Sequence, residues 1–193
     1  MDAQKHGLPM LSGFNHVAYR CRDAEQTRWF YEDVLGLPLA AALVLEEVPG
    51  LGDKYPYMHL FFRLGNGEFL AFFDDPQNAT IEHFKRAHSF DRHVALETES
   101  EEALLAWCKA INSRGVTCLG PVDHGFVKSV YMYDPNGLQV EITFRTAAFS
   151  EIMAEEERGA SEAMAQWTAR TRDEKVRKFG AESLRIRKPR QDG

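Results

Sequence analysis

Glu141 occupies the middle of a predicted β-strand in the segment YMYDPNGLQVEI, which runs from Tyr131 to Ile142. A buried carboxylate is costly unless it is paired or binds a cation. Two histidines, His16 and His93, stand in identical HVA tripeptides within two other predicted strands. Two imidazoles and one carboxylate are the ligand set of a common class of non-haem Fe(II) site. We therefore expect Glu141 to bind a metal together with these histidines.

The elements that would position these residues form an internal repeat. FNHVAYRCRDAEQTRWFYEDVLG and DRHVALETESEEALLAWCKAINSRG each predict a strand, an acidic helix start, an amphipathic helix and a terminal glycine. Downstream, MHLFFRLGNGEFLAFFDD and VKSVYMYDPNGLQVEITFRT each predict a β-hairpin. One more strand fits between helix and hairpin in each half. The predicted fold class is α+β, with two tandem βαβββ modules forming an incomplete barrel-like sheet around the metal site.

The second hairpin turn determines which residues share a face of the sheet. Proline and glycine within Asp134–Leu138 predict a three-residue loop with glycine at positive φ. This register pairs Tyr131 with Glu141 on one face. A two-residue loop would place Val130 opposite Glu141 instead.

The same register applied to the first hairpin aligns the two halves. It pairs Phe61 with Ala71, so that Ala71 occupies the position equivalent to Glu141. His16 and His93 also occupy equivalent positions. Pseudo-twofold packing of the modules is therefore expected to bring both histidines into one cleft with Glu141.

Each of these residues also has a simpler interpretation. A histidine in a strand is commonly a core or edge residue, and a glutamate in a strand commonly faces solvent. Glu141 shares its predicted face with Tyr131, Gln139 and Thr143, so that face is either merely solvated or lines a site. The equivalent histidines favour a site.

The doubled module resembles the vicinal oxygen chelate superfamily, which includes glyoxalase I, extradiol dioxygenases, fosfomycin-resistance enzymes and bleomycin-binding proteins. VDHGFVKSVYMYDPNGLQVE, from Val122 to Glu141, is similar to the signature of the extradiol ring-cleavage dioxygenases, and the chain resembles their small one-domain type I members in size. The resemblance implies that His16, His93 and Glu141 bind Fe(II), with Mn(II) as the alternative. It also implies that the substrate is a small catechol-type aromatic, whose ring is cleaved with incorporation of both atoms of O₂.

The resemblance also implies roles for other polar residues. His124 and Tyr131 are expected beside the substrate, as acid-base and hydrogen-bonding groups. Larger dioxygenases have a further histidine near the end of the first module, and EFLAFFDDPQN offers no clear match. His59 is the substitute; the alternative is a buried or solvent-facing histidine. Ala71 stands where glyoxalase-like members place a fourth ligand, and would leave that coordination position open.

The apolar residues of the first half are the candidates for substrate binding. Phe61, Phe69 and Phe73 share a predicted face with Ala71 and could pack around an aromatic ring. The alternative for each phenylalanine is an ordinary core position between the sheet and the helix.

Two other functions remain open beside the dioxygenase. One is a metal-dependent isomerase, lyase or thiol transferase of the same superfamily, which Ala71 and the pair of His124 and Tyr131 disfavour. The other is a non-catalytic protein that binds a small molecule such as a drug, which the complete ligand set disfavours.

Composition limits the remaining functions. The 193 residues are 44% hydrophobic and 27% charged, and the net charge of −6 argues against a nucleic-acid partner. The longest apolar run is too short for a membrane span, and three cysteines without a CxxC pair fit a reduced cytoplasm. By family analogy we expect a homodimer. The predicted segments are a first module at 11–76, a linker helix at 77–90, a second module at 91–146, and a helical extension with a basic tail at 147–193.

Overall fold

The structure, a computed structural model, describes residue 9 and residues 11–86 and 91–185. It consists of two compact units, residues 1–145 and 146–193. The first unit contains both predicted modules.

The first module begins with a strand and a short capped helix. The Asp23 side chain accepts a hydrogen bond from the Gln26 backbone N–H at 2.8 Å, which satisfies a donor at the helix start. The elements are β1 (His16–Cys21), α1 (Ala24–Arg28) with a π-helical continuation (Trp29–Val34), β2 (Leu39–Leu45), β3 (Tyr57–Arg63) and β4 (Phe69–Asp74). The sheet order is β1-β4-β3-β2, with β1 parallel to β4.

The second module repeats this order. Ser100 caps its helix by accepting a hydrogen bond from the Ala103 backbone N–H at 3.1 Å. The elements are β5 (His93–Glu97), α2 (Glu101–Ser113), β6 (Leu119–Asp123), β7 (Val127–Tyr133) and β8 (Gln139–Arg145). The sheet order is β5-β8-β7-β6. The predicted α+β fold of two tandem modules is confirmed, as two four-stranded mixed sheets.

The predicted register of both hairpins is also confirmed. Tyr131 pairs with Glu141 and Phe61 with Ala71. The Asp134 N–H donates to the Leu138 carbonyl at 3.0 Å, which closes a three-residue loop.

One face of each sheet packs into a shared core. Alternate residues of the hairpin strands are buried there against the helices, as expected for the period-two pattern of a strand. Tyr31 of the first module and Leu104 and Ile111 of α2 belong to this core. The strand residues that join them are Leu60, Phe62, Leu70, Phe72, Val130, Met132, Val140 and Ile142. The opposite faces therefore carry the candidate site residues.

Part of the predicted linker helix is a single 3₁₀ turn, Ile81–Phe84. Residues 87–90 lie outside the described part of the chain. Phe84 is buried and packs beside the second hairpin turn, where a Cβ atom built on Gly137 would lie 2.6 Å from the Phe84 carbonyl oxygen. The linker thus packs against the turn that precedes Glu141.

This close contact predicts a cost for Gly137→Ala. Gly137 has φ +78° and Gly67, in the equivalent turn, has φ +89°, but a Cβ atom at Gly67 would have no atom within 4 Å. We expect Gly67→Ala to lower the free energy of unfolding by about 1 kcal/mol through backbone strain alone, and Gly137→Ala by about 2–3 kcal/mol. Urea unfolding of both variants measures the difference. Equal losses would show that the close approach to Phe84 adds nothing to the destabilisation caused by Gly137→Ala.

The second unit contains one long helix. Its helix α3 (Phe149–Phe179) has no buried residue and carries an ion pair between Glu174 and Lys178 at 2.7 Å. A 3₁₀ turn (Ser183–Arg185) follows it. Within the described ranges, no helix has the length and apolar character needed to cross a bilayer.

Candidate metal centre

His93 and Glu141 lie in direct contact on the exposed face of the second sheet. His93 Nε2 is 3.0 Å from Glu141 Oε2, and the Glu141 residue is only 6% exposed. The parallel pairing of β5 and β8 causes this contact: His93 is opposite Gln139, and Glu141 follows two residues later on the same face. An imidazole nitrogen and a carboxylate oxygen at this separation suit a divalent metal as neighbouring ligands.

The predicted pair of polar residues beside them is present. His124 Nε2 and the Tyr131 hydroxyl are 2.8 Å apart, and Tyr131 is the strand partner of Glu141. Burial raises the pKa of the Tyr131 phenol, and the nearby charge of Glu141 raises it further. The phenol is therefore protonated at neutral pH and can donate a hydrogen bond.

These side chains line a cleft of about 650 Å³. The hydroxyl of Thr143, one of the lining residues, accepts a hydrogen bond from the buried Ser129 hydroxyl at 2.9 Å. Phe126 and Val127 also line the cleft and were not predicted, although both directly follow the turn at His124. The full lining is His93, Ala95, His124, Phe126, Val127, Tyr131, Gln139, Glu141 and Thr143.

His16 lies on the corresponding face of the first sheet, in different surroundings. Its Nδ1 atom is 2.7 Å from the Asn15 side-chain oxygen, and its ring packs edge-on against His59 and Phe61. Within the ranges that the structure describes, no group of three metal-binding side chains is found. The structure therefore brings two of the three predicted ligands together and holds His16 apart from them.

His59 lies next to His16 within a cluster of aromatic rings. Its ring stacks on Phe73 with centroids 3.8 Å apart and contacts Phe61 at 4.2 Å. Its Nε2 atom is buried and has no hydrogen-bond partner among the described residues. Burial lowers the pKa of His59, with a smaller contribution from His16. A neutral imidazole with a free nitrogen thus faces the same side as His16.

The remaining predicted substrate-binding residues complete this aromatic face. Phe69 packs edge-on against Phe61 at 5.9 Å. Ala71 is fully buried, between Ala18 of β1 and Phe61 of β3. Since no carboxylate can come from Ala71, the first face supplies His16 as its single metal-binding residue at the predicted ligand positions.

Comparison with known proteins agrees with this architecture. Residues 13–142 match the Glyoxalase/Bleomycin resistance protein/Dioxygenase superfamily. A lactoylglutathione lyase of Haemophilus influenzae is 26% identical over 129 residues, which cover 65% of this chain and 87% of that enzyme. Similar solved structures include a glyoxalase/bleomycin resistance protein/dioxygenase domain from a Frankia species (TM-score 0.57, 17% identity, 71% of this chain and 100% of that one). A fosfomycin resistance protein of Listeria monocytogenes with Mn(II) and sulfate is also similar (TM-score 0.51, 18% identity, 73% and 98% coverage). The chain belongs to the Glyoxalase/Bleomycin resistance protein/Dioxygenase superfamily.

Proposed function

We propose that this protein is a divalent-metal-dependent enzyme whose centre is built on His93 and Glu141. The observation that carries the proposal is the 3.0 Å contact between His93 Nε2 and the nearly buried Glu141 carboxylate. A buried carboxylate is stable when a positive charge compensates it. His93 and Glu141 would hold a metal ion that would supply that charge, and the cleft beside them has room for a small-molecule substrate.

The third ligand in this proposal is His16 of a second copy of the chain. Each copy has one face with His16 and one face with His93 and Glu141. The described contacts of His16 include neither His93 nor Glu141. Pairing the first face of one copy with the second face of another would complete two equivalent centres. The expected homodimer thus becomes a requirement of the site.

The reaction class that the relatives favour is that of an isomerase, lyase or thiol transferase. The curated relative named above is a lactoylglutathione lyase, and it matches this chain over most of its own length. The Listeria relative is a fosfomycin resistance protein that binds Mn(II). This reaction class replaces the extradiol dioxygenase as the leading candidate.

The side chains around the centre support such chemistry. A bound divalent metal supplies Lewis acidity that polarises substrate oxygens. Tyr131 keeps its proton at neutral pH and can donate it in a hydrogen bond to a substrate oxygen. His124, 2.8 Å from that hydroxyl, can take up or return a proton. Phe126 and Val127 add apolar surface to the lining of the cleft.

The second candidate is the Fe(II)-dependent extradiol dioxygenase acting on a small aromatic and O₂. The observation that favours it is Ala71, which replaces the fourth protein ligand at the position equivalent to Glu141. A centre with three protein ligands leaves room for two substrate oxygens and O₂. The contact of His124 with Tyr131 also agrees with the dioxygenase signature.

One experiment separates the candidates. The protein is loaded anaerobically with Fe(II), Mn(II), Zn(II) or Ni(II), and metal content is measured after gel filtration. Each form is then assayed for isomerisation of the methylglyoxal–glutathione adduct, and for oxygen uptake with a panel of catechols. Adduct turnover without oxygen uptake supports the lyase class. Oxygen uptake with a ring-fission chromophore, for Fe(II) alone, supports the dioxygenase. Failure to retain any metal contradicts the proposal and favours a non-catalytic binding protein.

A further inference from the structure

A second cavity adjoins the cleft at the candidate metal centre. Its volume is about 550 Å³, and it shares Tyr131 and Gln139 with that cleft. Its other walls come from both modules and from the segment that joins them. They include Trp29, Arg86, Leu119, Tyr133 and Asp134. A ligand held at the metal centre could therefore continue into this cavity past the two shared side chains.

Arg86 brings a positive charge to the cavity. Its guanidinium lies 4.6 Å from the centre of the Tyr133 ring. It forms no ion pair with any carboxylate of the described residues. The acidic lining residue, Asp134, already has hydrogen-bond partners. It accepts hydrogen bonds from Tyr31, from the Asn136 side chain and from two backbone N–H groups. Arg86 is thus available to an anionic ligand.

Gln139 adds a hydrogen-bond acceptor at the junction of the two cavities. Its Oε1 atom is buried and has no partner among the residues described. A buried carbonyl oxygen without a donor is destabilising, so most such atoms in proteins are satisfied. A ligand N–H or O–H would satisfy this one.

The other wall is apolar. Trp29 is 44% exposed and Leu119 is 65% exposed, although both are large hydrophobic residues. Large apolar side chains exposed together at a cavity provide area for a flat or aliphatic group.

We propose that this cavity binds the far end of the substrate, and that this end carries a carboxylate, a neighbouring N–H or O–H donor and an apolar body. The carboxylate would pair with Arg86, the donor with Gln139 Oε1, and the apolar body with Trp29. The inference rests on the proposed function, in which the substrate oxygens bind at His93 and Glu141. An N-acyl amino acid has this combination of groups, and we take it as the chemical class of that end of the substrate.

The test uses N-benzoylglycine and its neutral counterpart N-benzoylglycinamide as probes, with metal-free protein and isothermal titration calorimetry. A charge-assisted pair with Arg86 should make the carboxylate bind about tenfold more tightly than the amide. Arg86→Gln should bind both probes equally, because glutamine keeps a polar end group but lacks the charge that pairs with the carboxylate. Gln139→Leu should weaken both by about fivefold, because both probes carry the N–H donor. Quenching of tryptophan fluorescence should disappear in Trp29→Phe.

The titration results test the proposed cavity without any bound metal. Equal binding of the two probes to the unmodified protein would overturn it, as would a preference for the carboxylate that survives Arg86→Gln. Quenching that persists in Trp29→Phe would place the ligand elsewhere and would also overturn it. Because the titrations use metal-free protein, failure of the metal centre and failure of this cavity are read separately.

Discussion

Neither His16→Ala nor Glu141→Gln should retain a metal ion against a chelator, but the two variants refolded together should regain about a quarter of the metal sites. Each variant alone lacks one ligand in every centre, which should weaken binding on the order of 100-fold or more. Random pairing makes half of the dimers mixed. A mixed dimer joins the intact His16 of one chain to the intact His93 and Glu141 of the other, so one of its two centres is complete.

The measurement is metal content after gel filtration in chelator-containing buffer, so no substrate is needed. Glu97→Gln is the matched control, since Glu97 lies on the neighbouring strand β5 but is half-exposed and pairs with Arg145 at 2.8 Å. It should bind metal normally. If all three ligands belonged to one chain, mixing the variants would restore no metal binding, and this result would contradict a shared centre. Recovery of a quarter of the sites would establish a centre shared between two copies.

The fold could be predicted because its signals are local. The alternation of apolar residues and the Asp134–Leu138 turn fix the hairpin register, and the repeat then transfers that register to the other half. In the linker, local sequence signals did not predict the structure correctly. Its described part forms a single 3₁₀ turn, and the close approach of the Phe84 carbonyl oxygen to Gly137 is a contact that no local pattern encodes.

The candidate site could be predicted only as two halves. Strand period and register place Glu141, His93 and Tyr131 on one face, and His16 and His59 on another. Whether the two faces meet within one chain or between two copies depends on how the modules pack, and the same strand pattern permits both. Arg86 was missed for a related reason, because it enters a cavity formed by residues distant in sequence.

Replacement of Asp134 by alanine should produce a large loss of stability. Asp134 is 2% exposed, and its carboxylate accepts four hydrogen bonds. The donors are the backbone N–H groups of Asn136 and Leu138 (both 2.8 Å), the Asn136 side chain (2.9 Å) and the Tyr31 hydroxyl (3.1 Å). Alanine would leave these buried donors without an acceptor. We expect the free energy of unfolding to fall by about 3–4 kcal/mol.

The same change should loosen the contact between the modules. Asn136 donates to the Thr27 hydroxyl and accepts from the Arg22 backbone N–H, so the turn that Asp134 holds is hydrogen-bonded to the first module. Tyr31→Phe is the matched control, because it removes one donor and leaves the carboxylate and the other three in place. It should cost about 1 kcal/mol. Urea unfolding compares the variants, and equal losses would show that Asp134 acts only through Tyr31.

The dependence of this loss on pH follows from burial. Burial raises the pKa of Asp134 in the folded protein, although its hydrogen bonds oppose that shift. The folded state therefore holds the proton more tightly than the unfolded chain, and the stability linked to this proton is lost as pH rises through the folded-state pKa. The difference in unfolding free energy between the unmodified protein and Asp134→Ala should be larger near pH 4 than at pH 7. A difference that grows toward neutral pH would mean that the four hydrogen bonds outweigh burial and hold the carboxylate ionised.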